Sequence, residues 1–93
     1  MLIGSVAIKI FIPASASLKD KRRVVKSLIT RLKNKFNVSV AEIDSLEEWQ
    51  VSEIGIALVG NGTQILNKQI SQVINFIEKE AEFQLIDIKT EIL

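Results

Sequence analysis

Ser17 and Lys21 stand four residues apart in the stretch SLKDKRRVVKSL. On a helix that spacing sets an amine one turn from a hydroxyl, the pairing that activates a serine nucleophile when no histidine serves as base. A serine that opens a helix, however, usually spends its oxygen on backbone N–H groups. Further along, Glu42, Asp44, Glu47 and Glu48 hold enough carboxylate oxygens to attract Mg²⁺. A solvated acidic turn uses the same residues. The chain has no His and no Cys. That removes His-based triads, imidazole metal sites, thiolate zinc sites and thiol nucleophiles. Gly60-Asn61-Gly62 lacks the Gly-x-x-x-x-Gly-Lys pattern of a phosphate loop. The expectation is a protein that is not an enzyme and uses no cofactor and no metal.

The remaining chemistry is charge. Residues 19–35 hold eight Lys or Arg against one acid, a net of +7. The rest of the chain holds four bases against ten acids, a net of −6. An overall charge of +1 therefore hides a strongly dipolar sequence. The cations also crowd a helix start, where the macrodipole disfavours them by about 0.3–1 kcal/mol each. On a wheel of 100° per residue, Lys19, Arg22, Arg23, Lys26 and Lys33 share one flank. Arg31 and Lys35 fall on the other. A basic stripe of this kind suits phosphate, and backbone N–H groups at the helix start add donors for it. A solvated basic face is the competing reading.

These residues need elements to carry them. Leu2–Ile12 alternates as a strand through Val6, Ile8, Ile10 and Ile12. Its apolar run followed by small residues imitates a secretion signal, but no basic segment precedes it and Lys9 interrupts it. Ser17 with Asp20 forms a capping-box-like start. Leu18, Val25, Leu28, Ile29, Leu32 and Phe36 then mark the buried face of a helix over about 18–35. Val38, Val40 and Glu42 alternate with Ser39, Ala41 and Ile43 in a second strand, and Trp49–Val59 is a third. Asn61 with Gln64 can cap a second helix, whose apolar face is Leu66, Ile70, Val73, Ile74, Ile77 and Ala81. Phe83–Ile92 is a fourth strand with Ile86, Ile88 and Ile92 inward. The order β-α-β-β-α-β predicts an α+β ferredoxin-like fold, a four-stranded antiparallel sheet with two helices on one face. With 93 residues, 47% of them hydrophobic, residues 1–93 are expected to form a single folded domain. No segment approaches the ~18 apolar residues of a membrane helix. A cytoplasmic protein without a membrane partner is expected.

The run SLKDKRRVVKSLITRLKNKFNVSVAEID, then Trp49-Gln50, then GIALVGN, resembles the YlxP-like family of small bacterial proteins of unknown function. The resemblance covers nearly the whole chain. The SLK-KR and FNVSVAE blocks are the most specific parts. It implies a ferredoxin-like fold and a bacterial cytosolic setting, and family genes often lie beside those for translation initiation and ribosome maturation. It brings no catalytic residues. The family usually follows Trp-Gln with Arg, where this chain has Val51.

Helices on one face leave the other face of the sheet open. Alternation assigns to it Ile3, Ser5, Ala7, Lys9 and Phe11, then Ala41 and Ile43, then Trp49, Val51, Glu53, Gly55, Ala57 and Val59. RNA-recognition sheets carry stacking aromatics at mid-strand. Here the middles are Ala7, Lys9, Gly55 and Ala57. Ile3, Phe11, Ile43, Trp49, Val51 and Val59 instead form a candidate interface, and a weak or moderate homodimer through the open face or a strand edge is expected. Two functions from different classes follow. One is a non-catalytic protein that binds RNA or the ribosome through Lys19, Arg22, Arg23, Lys26 and Lys33. The alternative is a homo-oligomeric scaffold or regulatory domain acting through the open sheet face.

Overall fold

The computed structural model describes residues 1–93. The elements run β1 (Leu2–Phe11), α1 (Leu18–Lys35), β2 (Ser39–Asp44), β3 (Val51–Gly60), α2 (Thr63–Glu78) and β4 (Gln84–Ile92). The strands form one sheet in the order β2-β3-β1-β4, and every neighbouring pair is antiparallel. This is the ferredoxin-like α+β layout that the sequence predicts.

Alternation in β1 and β3 is strict. Val6, Ile8 and Ile10 from β1 and Ile54, Ile56 and Leu58 from β3 are buried on the helix side. They meet Val24, Val25, Leu28 and Leu32 of α1 and Leu66, Ile70, Val73 and Ile77 of α2 in one cluster of 17 buried apolar residues. Neither helix contains Gly or Pro, so nothing interrupts the 3.6-residue period that sets these rows over the sheet.

The helix ends differ in how they are closed. Ser17 is the N-cap of α1, and its hydroxyl accepts from the Asp20 N–H at 3.0 Å. Asp20 reaches past the cap to Ala16, whose N–H it accepts at 3.0 Å. Asn61 does not cap α2. That place falls to Gly62, with no side-chain bond to the helix.

Two bulges change which side chains face where. In β4 the register with β1 slips beside Ile86, so Leu85 pairs with Ile10 and Asp87 with Lys9. Leu85 therefore packs against the core in the place the alternation assigns to Ile86, and Ile86 stays 51% exposed. Ile88 faces the helix side opposite Ile8, but at the sheet edge it remains 38% exposed. In β2 the register with β3 slips beside Ile43. Ile43 then lies across Gly55, where a Cβ would come within 2.9 Å of its Cγ2.

Candidate nucleic-acid interface

The backbone of α1 sets the basic stripe. Lys19, Arg22, Arg23, Lys26 and Lys33 are all exposed, on the flank away from Val25, Leu28 and Leu32. At about 1.5 Å per residue the row spans about 21 Å. Lys19, Arg22, Lys26 and Lys33 have no carboxylate within ion-pair distance. Arg23 does: its guanidinium bonds Glu82 in the α2–β4 connection at 3.3 Å. Arg31, on the opposite flank, is bound to Glu80 of the same connection. Lys35 stands 5.3 Å from the centre of the Phe76 ring. Two acids of that connection thus lean onto α1, leaving four of the five stripe cations free. The start of the helix is less open to an anion than the sequence suggests, because the Asp20 carboxylate already sits in the first turn.

Lys21 is the residue whose place the sequence reading missed. Its side chain is fully buried. The ammonium donates to the carbonyls of Ser45 at 2.7 Å, Val51 at 3.2 Å and Leu46 at 3.3 Å. It also lies 3.0 Å from Glu42 Oε2, which accepts from the Ser52 hydroxyl at 2.6 Å. A cation here ties α1 to both ends of the β2–β3 connection. Neither half of the Ser17–Lys21 dyad is free. The serine caps the helix, and the amine is spent on four oxygens.

The acids considered for Mg²⁺ disperse. Glu42 turns inward to Lys21 and Ser52, and Asp44 accepts from the Ser45 N–H at 2.7 Å. No three carboxylates come together as a ligand group. Ser45 itself has φ of 62°, in the left-handed region that favours glycine. Its backbone is held from both sides, by Asp44 on the N–H and Lys21 on the carbonyl. Ser45→Gly should raise stability by up to about 1 kcal/mol, because glycine avoids a Cβ penalty of roughly 1–2 kcal/mol in that region and gives back roughly 0.5–1 kcal/mol in chain entropy. Urea unfolding of the variant checks this, and a loss of stability would contradict it.

Trp49 lies outside β3, which begins at Val51. Its carbonyl accepts from the Ser15 hydroxyl at 2.6 Å, and its side chain is 57% exposed at the end of the sheet. The six interface residues are consequently not one patch. Ile3 pairs with Val59 at one end and Phe11 with Val51 at the other, with Ile43 over Gly55 between them. Lys9 and Glu53 form a cross-strand pair inside that span, and Asp87 faces Lys9 from β4.

Lys21, Glu42 and Ser52 join α1, β2 and β3, and the blocks SLKDKRR and FNVSVAEID carry the first two of them. Those are also the blocks on which the resemblance rests. The family model described as "Protein of unknown function (DUF503)" matches residues 3–90. The "Uncharacterized protein YlxP" of Bacillus subtilis (strain 168) is 37% identical over 90 residues, covering 97% of this chain and 98% of its own. The chain belongs to the DUF503 family, the YlxP-like proteins of unknown function.

Proposed function

We infer that this is a non-catalytic binding protein that docks on RNA, ribosomal or ribosome-associated, through the outer face of α1. One observation carries the reading: Lys19, Arg22, Lys26 and Lys33 lie exposed along one helix flank without an acidic partner. Lys19 lies in the first turn, against the dipole of its own helix, and four unpaired cations in one row make sense where phosphate supplies the missing negative charge. The groups best placed for catalysis are engaged in structure, Ser17 as a cap and Lys21 as a tie, which supports the non-catalytic part.

The alternative, a scaffold or regulatory domain acting through the open face, has weaker support. Its apolar residues lie at the two ends of the sheet with Ile43 alone between them, and closure over them would bury Lys9, Glu53 and Asp87. Desolvating that many charges costs more than the apolar contact returns unless each finds a partner.

The test is affinity for ribosomal RNA fragments, then for intact ribosomal subunits, at several salt concentrations. Three or four phosphate contacts on single-stranded RNA give a slope of log K against log salt of roughly −2 to −3. An absence of binding even at low salt would leave the stripe as a solvated face.

A further inference from the structure

The edges of the sheet are β2 and β4. β2 has six residues and a bulge, which blunts it. β4 has nine residues and no Pro; its own bulge lies near one end, at Ile86, so Asp87–Ile92 runs regular, and it presents Ile86 and Ile88. A long edge without Pro is a template for pairing with another chain, and the charges along it decide which chain fits. The orientation of its free groups follows from its last pair. Leu93 exchanges both backbone bonds with Ile3, at 2.8 and 2.9 Å. The register is then unbroken from Gly4–Ile92 to Lys9–Asp87. In an antiparallel ladder, successive residues turn their N–H and C=O groups to opposite sides. Hence Ile92, Thr90 and Ile88 offer theirs outward, to no strand of this chain.

We propose that β4 pairs antiparallel with β4 of a second copy about a two-fold axis at Ile88, joining two sheets into one of eight strands. The charges select that partner and that register. Asp87, Lys89 and Glu91 lie on the open face, opposite Lys9, Ala7 and Ser5 of β1. With the axis at Ile88, Asp87 of each copy faces Lys89 of the other, so two attractive cross-strand pairs form. Ile88 exchanges two backbone bonds with its own copy. Ile86 and Ile88 close over the shallow groove that they line with Leu85 and Glu78. An axis at Lys89 would instead set Lys89 on Lys89 and Asp87 on Glu91, and like charges directly opposite are destabilising. An axis at Thr90 would pair Lys89 with Glu91 but leave Ile86 uncovered. The axis runs perpendicular to the sheet, so both helical layers stay on one side. This pairing is independent of RNA binding and uses none of the stripe.

The experiment measures mass by sedimentation equilibrium as concentration rises. Dimer is expected for the unaltered chain. Asp87→Lys sets the new lysine against Lys89 of the other copy, and Lys89→Asp sets the new aspartate against Asp87. Each alone should weaken self-association at least about tenfold. Mixed together, the two variants complement each other at both positions, and the dimer should return. Asp87→Lys also places a lysine beside Lys9 in its own sheet. Lys89→Asp faces only Ala7, so it remains informative if the first variant folds poorly, as circular dichroism will register. Val59→Glu, on the open face, should leave the dimer intact. Monomer mass up to about millimolar concentration would overturn the pairing. So would dimer unaffected by either substitution, a mixture no tighter than its components, dissociation by Val59→Glu, or rescue of Lys89→Asp by Glu91→Lys in place of Asp87→Lys.

Discussion

Lys21→Met is expected to cost roughly 3–5 kcal/mol of stability, the range for removing one partner of a buried ion pair. The side chains are close in length, so packing changes little. What changes is that Glu42 keeps a charge that is largely shielded from water, and the carbonyls of Ser45, Leu46 and Val51 lose their shared donor. A domain of this size has only about 5–15 kcal/mol to lose. Its melting temperature should fall by at least about 12 °C, given roughly 4–8 °C per kcal/mol at this length. Adding Glu42→Gln removes the orphaned charge while keeping an acceptor for Ser52. The double variant should therefore be more stable than the sum of the single losses by roughly 0.5–3 kcal/mol. Trp49 is the only tryptophan and lies in the connection that Lys21 ties down. Its quenching by acrylamide should rise in Lys21→Met below the melting range. A melting temperature within a few degrees of the original, with quenching unchanged, would mean that the four contacts of Lys21 contribute nothing net.

That network is legible in part. On the α1 wheel Lys21 falls inside the apolar arc of Leu18, Val25, Leu28 and Leu32. Glu42 falls on the inward set with Val38 and Val40. A lone cation and a lone anion, each on the buried side of its own element, imply a pair. Composition obscures this, because seven other bases surround Lys21 between residues 19 and 35 and only the wheel separates it from them. The helices and the middles of β1 and β3 are plain in the sequence, since each repeats one period for more than two turns or four residues. The errors collect where the period breaks. The bulge beside Ile86 exchanges Ile86 for Leu85 on the core side, and nothing in the local sequence marks the slip. Trp49 continues the alternation of β3 in sequence yet lies beyond its first pair, Phe11 with Val51. The ion pairs of Arg23 and Arg31 join residues 59 and 49 positions apart, a distance over which sequence periodicity carries no information.

Lys19→Glu combined with Lys26→Glu should abolish RNA binding at moderate salt while leaving the melting temperature unchanged or slightly raised. The two effects have opposite signs for one reason. Both side chains are exposed on the outer flank of α1, so the core does not register the change. Lys19 lies in the first helical turn, where an acid is favoured by the dipole by about 0.3–1 kcal/mol and a lysine is not. The natural residue is therefore the less stable choice for the helix, which is the signature of a residue retained for something outside it. On single-stranded RNA, losing two phosphate contacts should flatten the salt slope by about 1.4 and weaken all RNAs alike at least tenfold. Lys68→Glu with Lys79→Glu makes the same change in net charge on and just beyond α2, and should cost little affinity. Isothermal titration across a salt series, with thermal unfolding of each variant alongside, separates the outcomes. Equal losses from both double variants would reduce the effect to net charge. A melting temperature that falls together with affinity would make the stripe a structural feature of α1 and not a surface for phosphate.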